Sequence, residues 1–261
     1  MNESILKRRW KKFKTLKRGY YSLVTLTVLY ALSFLLPILI NNRALIVKYD
    51  GSLFFPVFSG YISGKEFGQD VPGEAKYRKL KDQFAGQMGS SNWVLMPPYP
   101  YSPYEDITTE GNKMYEPPSR KHWLGTDNTG RDVFARLCYA FNISISFALI
   151  LTLINYVIGV LIGGAMGYFG GRFDLIFQRL IEIWSSLPML FVIIILSSIL
   201  KPSFLLLIGI YTLVNWISMT YLMRAEFYRE KSRAYVAAAL SMGQSNFKVM
   251  FKHILPNSLV P

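Results

Sequence analysis

The chain has 261 residues, of which 51% are hydrophobic and only 17% charged, and 29 Lys and Arg against 16 Asp and Glu give a formal net charge of +13. Its apolar content, with 15% aromatics, excludes a disordered chain, its single cysteine excludes a disulfide scaffold, and its charge lies below the share of about a quarter usual in a soluble domain. A basic excess suits nucleic acid when it covers a surface, but here it flanks long uncharged runs, so a membrane protein is expected and a nucleic-acid partner is not.

A bilayer core of about 30 Å takes about 20 apolar residues in a helix rising about 1.5 Å per residue. Residues 1–18 form a basic leader with Lys7, Arg8, Arg9, Lys11, Lys12, Lys14, Lys17 and Arg18 against the single acid Glu3. Residues 19–42 carry no charge, and 21–40 are their apolar heart. This run is too long for the apolar core of a signal peptide and has no small-residue cleavage site after it, so it reads as span 1. An uncharged run over 137–171 holds a second span at 143–168, and runs at 183–200 and 204–223 give spans 3 and 4. The expected spans are helical, because an isolated strand leaves its backbone unsatisfied in lipid.

Lys and Arg near the span ends set orientation. The leader puts the N-terminus in the cytoplasm. Residues 43–136 then lie outside, and the stretch 41–136 is nearly neutral, with 12 basic and 11 acidic residues. The link carrying Arg172 and Arg179 returns inside, Lys201-Pro202-Ser203 is outside, and the tail from Arg224 is inside with six basic residues and two acids. Most of the positive charge is thus a topology signal.

The outside segment is too long for a simple loop. Residues 44–49 and 52–58 look strand-like, 65–91 are polar, and Trp93, Pro97, Pro98, Tyr99, Pro100, Tyr101, Pro103 and Tyr104 form a Pro/Tyr stretch without regular helix. It reads equally as an ordered loop or as a docking surface for an outside partner.

Two patterns carry mechanism. The first, just before span 2, runs from His122 through Gly125, Thr126, Asp127, Gly130 and Arg131 to Asp132. Its glycines allow tight turns, Thr126 and Asp127 suit caps, and Arg131, Asp132 and Arg136 begin an amphipathic helix. One His and two Asp make neither a metal site nor a catalytic set, so the reading is structural. The second is the tail. Ser232 is expected to cap a helix through Ala234, Tyr235, Ala237, Ala238 and Ala239. Gly243 ends it in a left-handed turn, and a second helix begins at Ser245 or Asn246 and stops before Pro256. Ala234, Ala237 and Ala238 share a small face on which another backbone can approach.

The tail resembles the cytoplasmic loop of permease subunits of bacterial ATP-binding-cassette (ABC) importers. In that pattern Glu-Ala-Ala is followed after three residues by Gly, and Leu-Pro stands twelve and thirteen residues beyond the Gly. Ala238-Ala239, Gly243 and Leu255-Pro256 match, while Ala237 replaces the acid. The sequence from His253 to Asn257 and the paired motifs Gly125-Thr126-Asp127 and Gly130-Arg131-Asp132 resemble the dipeptide, oligopeptide and nickel branch. The leader, Leu45-Ile46-Val47 and the stretch from Trp93 to Tyr101 resemble permeases of microcin C and oligopeptide uptake, so the likeness covers essentially the whole chain.

This resemblance implies an all-α polytopic bundle of the type I importer permease kind, in the bacterial inner membrane and surrounded by lipid. Its coupling helices, Ala234 to Pro256 with His253 among them, would dock on an ABC ATPase subunit. It also implies a second permease subunit, a periplasmic or lipid-anchored substrate-binding protein, and two further spans beyond the core at 137–261. Cofactors would be ATP and Mg on the partner. No Gly-x4-Gly-Lys-Ser/Thr loop occurs here, no metal site is expected and no residue is a credible catalyst. The expected cargo is a peptide or peptide-like compound, with nickel or dipeptide as the alternative. A membrane enzyme using the outside segment and a structural or assembly protein are rivals of other classes.

Within the spans, Gly159, Gly163, Gly167 and Gly171 recur every four residues and are expected to pack a neighbouring helix. Pro188 should kink span 3. Asn155, Asn215 and Ser218 are polar residues within spans. No Asp, Glu, Lys or Arg lies mid-span, which favours coupling through an ATPase over a proton relay. Cys138 reads as a packed residue and His253 as a capping or packing one.

Overall fold

The structure, a computed structural model, describes residues 5–86, 91–107 and 114–258. Glu3 of the leader and the residues after Ser258 lie outside the described residues. The chain forms two compact units, one up to Ile145 and one from Ser146.

In the first unit the leader is helix α1 (Ile5–Thr15), followed by α2 (Lys17–Ser33). The expected single helix over 21–40 is interrupted. Pro37 cannot donate the backbone bond that would continue α2, and the chain restarts as the short α3 (Leu36–Leu39) with that proline in its first turn. By itself α2 has 17 residues, short of the roughly 20 that cross a bilayer core.

The segment that follows corrects the all-α expectation. Strands β1 (Ile46–Tyr49), β2 (Ser52–Phe54) and β3 (Trp93–Leu95) form an antiparallel sheet of order β2-β1-β3, with Val47 opposite both Phe54 and Val94. Residues 56–58, the end of the strand-like stretch 52–58, instead lie in the one-turn helix α4 (Pro56–Ser59). The polar middle contains α5 (Tyr77–Gly86), whose Tyr77, Leu80 and Phe84 are buried against Val47, Val94 and Phe67. Those three positions share one helical face. A second small core joins Leu36, Ile40, Tyr99 and Ala135. Around it Tyr99 N–H donates to Leu39 O at 3.0 Å, Asn41 N–H to Tyr99 O at 3.1 Å, and the Tyr139 hydroxyl to Ile40 O at 2.9 Å.

Helix α6 (Val133–Phe169) runs from the first unit into the second. The second unit continues with α7 (Gly171–Ser185), α8 (Met189–Ile199) and α9 (Phe204–Lys231). Among the described residues α6 and α9 are long and apolar enough to cross a membrane, and α7 with α8 makes a third candidate only if a pair bent by 69° counts as one span. The runs expected as spans 1 and 3 are each broken into two helical pieces, at 34–35 and at 186–188. The expected kink at Pro188 is a full break at which α8 starts afresh, because that proline takes an extended N-cap conformation.

The glycine stripe of α6 lies on α9. A Cβ on Gly159 would stand 2.5 Å from Met219 Cγ, one on Gly163 would collide with the Thr220 carbonyl, and one on Gly167 would stand 2.8 Å from Phe227 Cβ. Gly171 does not continue this stripe: it opens α7 after the break at Gly170, and no atom stands within 4 Å of its would-be Cβ. Asn155 is buried on α6, whereas Asn215 turns back on its own helix and donates to Tyr211 O at 2.9 Å.

Candidate functional site

The tail folds back as a hairpin on the ends of α6 and α9. Its first arm is α10 (Ala234–Ser241). Ser232 does not cap this arm. It ends α9 and donates its hydroxyl to Arg229 O at 2.8 Å, and α10 begins after Arg233 without a side-chain cap. Gly243 turns the chain with φ +73°, a left-handed conformation that costs a residue without Cβ little. Its N–H donates to Leu240 O at 2.9 Å and that of Gln244 to Ala239 O at 3.2 Å, so the orphan carbonyls of α10 are satisfied at the turn.

The second arm starts as α11 (Asn246–Lys248), where the Ser245 hydroxyl accepts from Lys248 N–H at 3.4 Å. It widens into a π-helical stretch at Val249–Ile254 and ends as α12 (Leu255–Ser258). The expected stop before Pro256 does not occur. The wider turn just before the proline accommodates a ring that cannot donate, so the arm passes through it.

The two arms sort their residues by side. Val236, Ala239, Val249, Met250 and Ile254 are buried with Tyr168, Met223 and Phe227 in one core. Ala234, Ala237, Ala238, Leu240, Ser241 and Gly243 face outward, with Met242 71% and Phe247 72% exposed. Tyr235 is half-buried and its hydroxyl donates to Glu230 at 2.9 Å. His253 lies 2.7 Å from Gln244 Oε1, which ties the second arm to the turn, and Leu255 packs against the core while Pro256 is exposed. Asn246 starts the second arm as one of the two expected positions, but sequence reading gives no sign of its partner Tyr168, 2.7 Å away, or of Lys231, whose ammonium stands 5.6 Å from the Tyr168 ring centre.

The motif before α6 is a set of carboxylate-centred turns in the first unit. Asp127 accepts from Thr129 N–H at 2.9 Å, Thr129 Oγ1 at 2.8 Å, Arg131 N–H at 3.0 Å and Arg131 Nε at 3.1 Å, and also from Arg136. Burial pushes its pKa up, but the hydrogen bonds from Arg131 and Thr129 and the guanidinium charge outweigh this and hold the carboxyl well below the usual range. The helix cap is Asp132. Its Oδ1 accepts from Ala135 N–H at 2.8 Å, while Oδ2 takes the Tyr99 hydroxyl at 2.7 Å and His122 Nδ1 at 2.8 Å. A carboxylate only accepts, which places the imidazole proton on Nδ1. Burial and the bond to Asp132 push the Tyr99 hydroxyl above its ordinary pKa. Thr126 Oγ1 accepts from Glu116 N–H at 2.7 Å, Gly130 O accepts from Ile107 N–H at 3.1 Å, and Gly125 leaves no room for a Cβ beside the Glu116 carbonyl. His122 opens the motif in sequence, whereas Tyr99, 33 residues from Asp132, is not connected to it by sequence reading.

Asp127 is committed to Thr129 and two arginines and Asp132 to Ala135, Tyr99 and His122, and among the described residues no group of three side chains suits a metal ion. The arrangement can cap and orient a membrane helix; it holds no nucleophile with its base.

Comparison with known proteins adds one family match and three relatives. A family model described as "Binding-protein-dependent transport system inner membrane component" matches residues 159–261. The chain is 42% identical over 254 residues to "Inner membrane ABC transporter permease protein YejE" of Escherichia coli strain K12, covering 97% of this chain and 73% of that protein. It is 35% identical over 281 residues to "Peptidoglycan transport system permease protein YejE" of Agrobacterium fabrum, covering 97% and 72%. "Dipeptide transport system permease protein DppC" of Bacillus subtilis is 38% identical over 160 residues, covering 61% of this chain and 49% of that one.

Proposed function

We propose a specific working arrangement for this chain, which belongs to the family of binding-protein-dependent transport system inner membrane components, the permease subunits of ABC importers. As such it is an integral inner-membrane protein and not itself an enzyme; a separate subunit hydrolyses ATP. Its cargo is a peptide or peptide-bearing compound. This reading is supported by relatives whose names attach them to peptidoglycan and dipeptide transport. The cargo arrives on a substrate-binding protein outside, a second permease subunit completes the pathway, and the leader lies in the cytoplasm with residues 43–136 on the opposite side. The distribution of Lys and Arg supports that orientation.

The hairpin is the element on which the ATPase acts. The observation that carries this is its two-sidedness: a small outward face of Ala234, Ala237, Ala238 and Ser241 beside exposed Met242 and Phe247, over an inward face locked to α6 and α9. Exposed apolar side chains next to a small-residue face suit a partner's groove. In the membrane, the seam of Gly159, Gly163 and Gly167 brings α6 and α9 into close backbone contact. ATPase closure thus reaches the pathway through the hairpin.

The test is Gly243→Pro in the assembled transporter. Proline holds φ near about −65°, opposite in sign to what the turn requires, and removes the N–H given to Leu240. Loss of ATP-driven peptide uptake is expected. Full uptake by this variant would overturn the hairpin's role.

A further inference from the structure

We infer that Tyr168 is a positioning residue for coupling: its hydroxyl, bonded to Asn246, pins the second arm of the hairpin to α6 and makes the movement of that arm a movement of the helix. The inference rests on the function proposed above and assigns the transmission to one contact.

The hairpin is attached to the membrane helices in two ways. Its first arm continues from α9 through Ser232 and Arg233, so α9 follows it by covalent connection. Its second arm has no such connection to α6 and reaches it, among the described residues, by packing and by a side-chain hydrogen bond from Tyr168 Oη to Asn246 Oδ1 at 2.7 Å. The core that Tyr168 shares with Val249 and Met250 of the second arm is apolar, and its attraction is non-directional. A hydrogen bond is directional and sets the register of the arm on the helix end.

The position of each partner fits that task. Tyr168 is 4% exposed and directly follows Gly167, the last seam residue, so its ring stands where α6 meets α9. Lys231 covers the ring from the end of α9. Asn246 opens the second arm, three residues after the turn at Gly243 and one after the Ser245 cap. A push on the outward face near Met242 and Phe247 therefore reaches Asn246 within a few residues of where it is applied. With the bond in place the arm draws α6 with it. Without it the arm can shift against an apolar surface while α6 stays behind, and ATP is spent without transport.

The experiment uses the complete transporter reconstituted in liposomes, with peptide imported and ATP hydrolysed measured together. Tyr168→Phe keeps the ring and removes the hydroxyl. One net hydrogen bond corresponds to a shift of about two- to tenfold in an equilibrium, and a fall of that order in peptide imported per ATP is expected at an unchanged amount of assembled complex. Asn246→Ala should give the same fall, and the double variant no more than either single one, since both remove one interaction. Asn246→Asp keeps an acceptor oxygen at a helix start that favours it and should preserve coupling. Unchanged coupling in Tyr168→Phe, or equal loss in Asn246→Asp and Asn246→Ala, overturns the inference. Should Tyr168→Phe fail to assemble, the exposed Asn246 carries the test through its two variants. Failure of the underlying reading looks different: the unaltered transporter imports no peptide, or Gly243→Pro imports it fully.

Discussion

Arg224 on α9 holds Asp174 on α7 through two hydrogen bonds, Nε to Oδ1 at 2.5 Å and Nη2 to Oδ2 at 2.7 Å. The fork geometry uses both carboxylate oxygens, and Gln178 adds a further bond to Oδ2 at 2.9 Å. Asp174 sits in the first turn of α7, where its charge also suits the helix N-terminus. The pair thus fixes the start of α7 against the last turns of α9, close to where the hairpin begins. Its side chains are 33% and 15% exposed, so the bond is partly shielded. Arg224→Ala should destabilise the fold by about 1–3 kcal/mol, because Asp174 loses its charged partner. Arg224→Lys should recover only part of this, since an ammonium cannot reproduce the two-pronged contact. Thermal melting of the purified transporter reads both, and an unshifted melt for Arg224→Ala would remove the pair from the list of contacts that matter.

The seam makes a sharper comparison possible within one chemistry. A methyl at Gly163 meets the Thr220 carbonyl and comes within 3.0 Å of Arg224 N, both backbone atoms that cannot swing aside. A methyl at Gly209, on α9 itself, meets nothing within 4 Å. Gly209→Ala should be neutral or stabilising by up to about 1 kcal/mol, from the gain in helix propensity. Gly163→Ala must push α6 and α9 apart and should cost about 1–3 kcal/mol. The yield and melting temperature of the assembled complex separate the two, and equal behaviour would mean that the helices are not in close contact in the membrane.

How far this architecture is legible in sequence depends on whether a feature is written locally. The stripe of Gly159, Gly163 and Gly167 and the turn at Gly243 are read from residue type and spacing, because both depend on the missing Cβ. Gly171 shows the limit: it keeps the four-residue spacing, yet a break at Gly170 removes it from the face. The break at Pro188 is visible as a proline, but its 69° bend is not encoded by residue spacing. Helix α5 was hidden in a polar stretch although Tyr77, Leu80 and Phe84 carry a helical period; overall polarity masked a short amphipathic pattern. Asp132 was recognised beside the start of α6, but its partners Tyr99 and His122 lie 33 and 10 residues away in sequence, and no local rule pairs them.

That pairing has a measurable consequence. Asp132 is 1% exposed and takes three donors, one of them the capping N–H of Ala135. Asp132→Ala would leave Tyr99, His122 and a helix N–H without an acceptor in a buried place, each costing about 1–3 kcal/mol by itself. The expected result is failure to accumulate in the membrane. Tyr99→Phe removes one donor to Asp132 and the acceptor of the Trp123 N–H, at about 1–3 kcal/mol together, and should accumulate. Membrane-fraction immunoblots of the two variants distinguish them, and normal accumulation of Asp132→Ala would show that the cap is dispensable.

Asp127 allows a test by pH. Its carboxyl is held below the ordinary range in the folded chain, where five donors from Thr129, Arg131 and Arg136 converge on it. A depressed pKa means that the charged form binds the fold more tightly than the neutral form does. The stability it contributes is complete above its unfolded pKa of about 3.9 and is lost only as pH falls from there through the lower folded value. Asp127→Asn removes the charge at every pH while keeping the shape. At neutral pH the variant should melt lower, by the equivalent of about 1–3 kcal/mol for the weakened charge-assisted bonds. The gap between wild type and variant should stay constant from about pH 7 to pH 5 and close only below about pH 4, as the wild-type carboxyl takes up its proton. A gap that already narrows between about pH 7 and 5 would mean that the carboxyl titrates above its ordinary range, and that the donors around it do not hold it in its charged form.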